Sequence, residues 1–458
     1  MSHAFWHPFA DMSAVAGNDF VIASGHGAYV TGADGRDYLD GTAGLWYCNV
    51  GHGRTEIAAA VAAQMSKIAS YSNFGDLATQ STLELADRLA ELAPMADARI
   101  FFTSGGSDAV DTAVKLVRKY WILEGQPTKQ IIITRTRSYH GMHFGGTSLS
   151  GIPANKDGYG ELDPHVRNVA WDDPWALAKE IDDIGADRVA AFFCEPIIGA
   201  GGVYLPPEGY LAEVRAMCRE RDVLFVTDEV ICGFGRTGSM FGSTLWDLDP
   251  DIMLTAKGLT SGYQPMGAVF VSGKVAEPFW NTPGLVWRHG YTYSGHASAA
   301  AAAMANLDII EREGLVARVA DLSLALSGAL APLRGHSWVS DVRSGVGLLG
   351  AVTIDPTVLA EDPTILGRLM FATRSRGVIL RPLADGSMQI SPPFVIDRDE
   401  LKMIGSALDE SLTELGSVNT PRAQLDVDLL PEQTRDDAGG FDSLDAMLRA
   451  EVPPHHRV

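Results

Sequence analysis

Cysteine is scarce in this 458-residue chain: Cys48, Cys194, Cys218 and Cys232 lie far apart, with no CxxC pair. That argues against a disulfide framework and against thiolate metal sites, which need closely spaced ligands; buried free thiols are the expectation. Basic residues are outnumbered, 36 against 57 acidic ones, for a formal net charge of −21, and no basic run occurs. Nucleic acids and anionic membranes both require clustered Lys and Arg, so neither is an expected partner. No uninterrupted apolar run reaches the roughly 18–20 residues of a membrane helix. Residues 1–11 lack the basic-then-apolar order of a signal peptide. A cytoplasmic, reducing location is expected.

What the chain does have is an ordinary globular composition, 46% hydrophobic and 20% charged, and a length that suits two domains rather than one core. Near the start, Ala28-Tyr29-Val30 and Tyr38-Leu39-Asp40 flank Ala33-Asp34-Gly35, a hairpin signature. An Ala-rich helix is predicted over 56–68. From residue 99 onward, apolar strand candidates at 100–103, 131–134, 189–195, 223–230, 252–255 and 268–272 alternate with helical patterns, notably 108–121 and 208–221. Continuous rather than alternating hydrophobicity in the strands indicates an α/β fold, a mainly parallel sheet covered on both faces. An Ala-rich helix over 297–312 closes this region. After about residue 321 the order becomes α+β and ends in a helix over 398–414. Beyond 418 lies an acidic tail whose one amphipathic piece is 441–448.

Three strand ends carry candidate chemistry. Lys257, in Thr255-Ala256-Lys257-Gly258-Leu259, follows an apolar strand; an ammonium there is costly unless used or paired, and desolvation lowers its pKa toward nucleophilic and proton-shuttling service. Asp228, in Phe225-Val226-Thr227-Asp228-Glu229-Val230, also ends a buried strand, and in open parallel sheets such ends face one ligand crevice. A carboxylate there can keep a pyridine nitrogen protonated. Gly105-Gly106-Ser107 joins a strand to a strong helix pattern, so free amides and the positive helix end can cradle a phosphate; a plain N-cap at Ser107 or Asp108 is the simpler alternative. Tyr139-His140-Gly141 offers a flat ring after the strand 131–134, and no third ligand accompanies His140 and His143 to make a metal site. Gly233-Phe234-Gly235-Arg236-Thr237-Gly238 fits the dinucleotide fingerprint GxGxxG, yet no helix pattern opens there, which counts against a nicotinamide-dependent dehydrogenase.

Together these segments resemble the class III (ω-) aminotransferases of pyridoxal-5′-phosphate (PLP) fold type I. The resemblance runs from about residue 6 to about 414. It is carried by Tyr38-Leu39-Asp40-Gly41, Gly44-Leu45-Trp46, Asn49-Val50-Gly51-His52-Gly53, Ser138-Tyr139-His140-Gly141, Thr227-Asp228-Glu229-Val230, Ala256-Lys257-Gly258-Leu259-Thr260-Ser261-Gly262-Tyr263 and Tyr291-Thr292-Tyr293-Ser294-Gly295-His296. It implies a large PLP-binding domain over 61–320 and a small α+β domain built from 1–60 and 321–418, with 419–458 as an appended tail. It implies Lys257 as the Schiff-base lysine and proton carrier, and Asp228 as partner of the pyridine nitrogen. Tyr139 and Val230 would cover the two ring faces, with His140 beside them. Gly105, Gly106 and Ser107 would hold the phosphate. Thr292 would add a phosphate contact from the neighbouring subunit of a homodimer, or of a tetramer, and Glu195 would stand behind the cofactor. Where many relatives have Asn-Ser-Gly-Ser-Glu, this chain has Ser104-Gly105-Gly106-Ser107-Asp108, which keeps the backbone donors and drops one hydroxyl.

The resemblance also narrows the substrates. Ala200 stands where the ornithine and 4-aminobutyrate branch has a glutamate, which points to the amine:pyruvate and β-alanine:pyruvate branch. There an arginine matching Arg381 binds a carboxylate or swings aside for an apolar group, and Trp46 limits one side of the pocket. The expected reaction is a ping-pong transfer from an amine or ω-amino acid to pyruvate or a similar 2-oxo acid. The rivals are an aminomutase or decarboxylase with the same apparatus, the dehydrogenase, and a non-catalytic binding protein of the same fold.

Overall fold

The computed structural model describes residues 4–417; the tail at 419–458, with its 441–448 segment, lies outside the described residues. The N-terminal hairpin forms as its turn signal predicts. Strands β1 (Ile22–His26), β2 (Tyr29–Gly32) and β3 (Asp37–Asp40) pair antiparallel, with Tyr29 opposite Leu39 and Val30 opposite Tyr38.

A seven-stranded sheet follows, from β4 (Arg99–Thr103), β5 (Ile131–Arg135), β6 (Val166–Val169), β7 (Val189–Cys194), β8 (Leu224–Asp228), β9 (Ile252–Thr255) and β10 (Gly267–Val271), in the order β4-β10-β9-β8-β7-β5-β6. Pairings among β5 to β9 are parallel, whereas β10 runs antiparallel to both β4 and β9. Strand alternation sends successive side chains to opposite faces. Leu224 and Val226 therefore join Val110, Ala113 and Val117 of the helix Gly106–Leu123, while Phe225 joins Tyr210, Leu211 and Val214 of the helix Tyr210–Glu220. Both faces are dry, which is why these strands read as unbroken apolar runs. Strand β6 lacked that signal because Arg167 and Asn168 are exposed at the sheet edge. All four cysteines are buried and free.

A second, smaller domain contains β11 (Val339–Arg343), β12 (Gly350–Ile354), β13 (Val378–Ile379), β14 (Arg381–Pro382) and β15 (Ser387–Ile390). Four of these make the antiparallel sheet β11-β12-β15-β14, and β13 instead adds to the N-terminal hairpin, parallel to β3. Distant parts of the chain thus share one sheet. Among the described residues one stretch, Leu315–Gly335, has the length and hydropathy of a membrane span, but Leu315, Val319, Leu322, Leu326 and Leu330 pack it into the core.

The GxGxxG segment has a different task. No long helix opens at Gly238; the next is the four-residue Gly242–Leu245. Arg236 is fully buried and donates to the carbonyls of Pro392 (2.6 Å) and Leu348 (3.3 Å) and to Asn49 Oδ1 (2.8 Å), with its guanidinium 4.6 Å from the Phe394 ring centroid. Burial pushes its pKa down to about 9, and its partners among the described residues are carbonyls and an amide rather than a carboxylate. The residue is a cross-brace between the large sheet's loops and the smaller domain. Arg236→Ala should lose roughly 2–4 kcal/mol of stability, from a cavity and stranded carbonyls; urea unfolding of the variant beside wild type measures it.

Candidate active site

Parallel strands end on one side of the sheet, and β4, antiparallel to an antiparallel strand, ends there too. The three strand ends that carry candidate chemistry, those of β4, β8 and β9, therefore meet along one rim. A cavity of about 230 Å³ opens there, lined by Lys257, Asp228, Tyr139, His140, Glu195 and Val230 from the large sheet's loops, by Gly106 and Ser107, and by Trp46 and Arg381. Gly105 sits just outside the lining. Thr292 does not reach the cavity of its own chain and is exposed.

Lys257 opens the short turn Lys257–Leu259 with φ of +40°, a left-handed conformation that non-glycine residues adopt at a cost. Asn306, buried in the helix Ala297–Arg312, holds that turn by donating to the carbonyls of Gly258 (2.8 Å) and Leu259 (2.9 Å). Gly258 lets the side-chain amide of Asn49 pass where a Cβ would lie 2.4 Å from its nitrogen. Burial pushes the Lys257 amine down to about 8, against the opposing pull of Asp228 and Glu195 and with help from Arg381.

Asp228 is buried and accepts from the Val230 amide (3.1 Å) through Oδ1, while Oδ2 lies 2.8 Å from His140 Nδ1. Behind it, Ser138 donates to the Arg135 carbonyl (2.7 Å) and sits 3.1 Å from the Thr134 hydroxyl, which is 3.0 Å from His140 Nε2. Thr134 and Asp228 thus hold the two ring nitrogens of His140. The imidazole is thereby committed on both nitrogens to orienting Asp228, which accounts for His140 without a metal.

Glu195 stands just past the end of β7, where the strand was expected to include it. Its buried carboxylate accepts from the amides of Tyr139 and Gly199, both at 2.9 Å, and desolvation raises its pKa. It thus fixes the loop presenting the Tyr139 ring. Trp46 lies in a left-handed bend (φ +66°) fastened by Asp40, which accepts from the amides of Thr42 (3.0 Å) and Gly44 (2.7 Å).

The helix Gly106–Leu123 starts from Gly105, and no side chain caps it. Asp108 instead turns back to accept from the Ser104 amide at 2.9 Å, so the first-turn amides are left for an anion. A Cβ on Gly106 would meet Val230 Cγ1 at 3.1 Å, which ties the anion cradle to the apolar wall. Several lining residues escaped the sequence reading: Phe9, Asn155 and Leu383 come from segments with no periodic or charge signal. Arg135 did carry one. It is a charge ending an apolar strand, as Lys257 is, and it donates to the Glu195 carbonyl.

Amine, carboxylate, flat ring, apolar wall and uncapped helix end together fit pyridoxal phosphate. In cofactor-free protein, reductive methylation of Lys257 followed by mass spectrometry should titrate near pH 8 rather than 10.5. Between those values the unfolded chain keeps a proton the folded one has released. Burial of the ammonium therefore costs stability below about 8, and the cost is relieved as pH rises to 10.5. A Lys257→Met variant should accordingly be more stable than wild type at neutral pH, with the gap closing near pH 10.5 in denaturant titrations.

Comparison with known proteins bears on the same site. The family model "Aminotransferase class-III" matches residues 12–412. The ω-amino acid–pyruvate aminotransferase of Pseudomonas putida is 39% identical over 437 residues, 90% of this chain and 96% of that protein. The putrescine–pyruvate aminotransferase of Pseudomonas aeruginosa is 38% identical over 408 residues, 83% of this chain and 88% of the other. Among solved structures, an amine transaminase from an uncultivated Pseudomonas species in its PLP-bound form superposes with a TM-score of 0.85 at 37% identity, covering 90% of this chain and 99% of that one. The ω-transaminase of Thermomicrobium roseum gives 0.86 at 37% identity, covering 90% and 96%. With this fold and these strand ends, the chain belongs to the class III aminotransferases and is a PLP-dependent transaminase.

Proposed function

We propose that the enzyme moves an amino group from a primary amine or ω-amino acid to pyruvate or a similar 2-oxo acid, in two half-reactions that use one cavity in turn. The observation that carries this reading is the convergence of Lys257 and Asp228 with Arg381, opposite a wall where position 200 is alanine. The pyruvate-dependent activities of the relatives from P. putida and P. aeruginosa support it.

In this reading Gly105, Gly106 and Ser107 would hold the phosphate, and Tyr139 and Val230 would cover the ring. Asp228, held by His140, keeps the ring nitrogen protonated. Pyridoxal phosphate supplies the electron sink for the pair left when the amine-bearing carbon loses its proton. Lys257 Nζ takes that proton and returns it one position along; its lowered basicity suits it to both directions near neutral pH. Glu195 holds Tyr139 in place and touches no reacting atom. Arg381 meets the carboxylate of pyruvate or an ω-amino acid with a paired hydrogen bond, and Trp46 blocks bulky groups on one side.

Thr292, exposed and away from its own cavity, would serve the site of a second copy, which makes the working unit a homodimer. The domain limits that accompany this reading are 61–320 for the large domain and 1–60 with 321–418 for the small one, in keeping with the pairing of β13 with β3. Buried free thiols suit a cytoplasmic, reducing compartment.

Purified enzyme should lose its absorbance at roughly 400–420 nm on addition of amine alone and regain it with pyruvate. A decarboxylase or aminomutase would not complete that cycle, and such a result would end the transaminase assignment for amines. Lys257→Ala should lower turnover by roughly a thousandfold or more, measured as alanine formed from pyruvate.

A further inference from the structure

The turn between β14 and β15, directly after Arg381, ends in an anchored acid. Asp385, its side chain almost fully buried, accepts from the hydroxyl of Tyr204 (2.9 Å) and from Arg343 (2.7 Å). Tyr204 belongs to the opposite wall. It closes the loop that begins at Gly199 and carries Ala200, pairing with Ile198 through two backbone hydrogen bonds of 3.1 and 2.9 Å. The Tyr204 ring lies between two guanidiniums, Arg137 at 4.5 Å and Arg343 at 4.3 Å from its centroid. Arg343 also donates to the Gly202 carbonyl at 2.8 Å. The two walls touch at Gly202, which has φ of +134° and where a Cβ would fall 2.3 Å from Asp385 Oδ2 and 2.4 Å from the Tyr204 ring.

We propose that Asp385 and Tyr204 are positioning residues that set where Arg381 stands, and hence how well the enzyme discriminates carboxylated from uncharged substrates. Asp385 is four residues from Arg381 on a two-residue strand, β14, whose pairing with β15 covers only Arg381–Gln389 and Pro382–Met388. The turn itself is closed by the Leu383 amide on the Ser387 carbonyl (2.7 Å) and by Asp385 Oδ1, which accepts from Ser387. The Asp385 Oδ2 tie to Tyr204 and Arg343 is what fastens this short ladder and its turn to the opposite wall. A guanidinium grips a carboxylate in a planar, two-bond geometry that tolerates little displacement. An apolar substituent makes no such demand, so slack in the turn penalises only the carboxylated partner.

This inference rests on Arg381 meeting the substrate carboxylate, and half-reactions on the holoenzyme test the two separately. Tyr204→Phe keeps the ring beside its two guanidiniums and removes the hydroxyl, which donates to Asp385 and accepts from Arg137 Nη1. It should raise KM for pyruvate and β-alanine roughly tenfold, the scale of one lost hydrogen bond to a charged group. The half-reaction of 1-phenylethylamine should stay within about twofold of wild type, and Asp385→Asn should move the same constants in the same direction. Parallel losses for carboxylated and uncharged substrates would mean that the network is merely structural, and would overturn the proposal. So would unchanged constants in both variants alongside a raised pyruvate KM in Arg381→Ala. A wild-type pyruvate KM in Arg381→Ala would instead remove the carboxylate reading itself, and the proposal with it.

Discussion

An amine and a carboxylate taken out of water at the ends of neighbouring strands impose the constraint on which the rest of this structure depends. Each would be expelled or neutralised if left alone. Lys257 keeps a lowered pKa because desolvation outweighs the attraction of Asp228 and Glu195. Asp228 is oriented by His140, which is itself committed to Thr134. The parallel pairing of β8 with β9 puts the two strand ends side by side, so the sheet topology and the charge pair are one arrangement.

Around that pair the enzyme uses buried polar groups as braces. Asn306 holds the turn of Lys257, Glu195 the loop of Tyr139, Asp40 the bend of Trp46, and Arg236 the smaller domain against Asn49. Buried groups of this kind stabilise one geometry because any other leaves them unpaired in a low-dielectric interior. The Asp385–Tyr204–Arg343 network extends the principle to the turn that follows Arg381.

Much of the catalytic side was legible beforehand, since strands buried on both faces read as continuous apolar runs and a charge ending such a run stands out. Lys257 and Asp228 carried that signal, the Gly105–Ser107 turn carried that of glycines opening a helix, and all lie along one rim. Cavity residues such as Phe9, Asn155 and Leu383 carried none, because they arrive from loops by long-range packing. The antiparallel course of β10 was equally hidden, for hydrophobicity marks a buried strand but not its direction.

The residues by themselves determined the chemistry: an amine at a buried strand end, a carboxylate to match it, a glycine turn opening a helix, and the order that marks the family. Tertiary structure alone decided that β13 completes the N-terminal hairpin, that Arg236 is a brace rather than part of a dinucleotide site, and that Asp385 bonds to Tyr204 where the two walls meet. Local chemistry is written in types and spacings along the chain. Contacts between residues 181 positions apart, as Tyr204 and Asp385 are, exist only once the hydrophobic cores have fixed both walls.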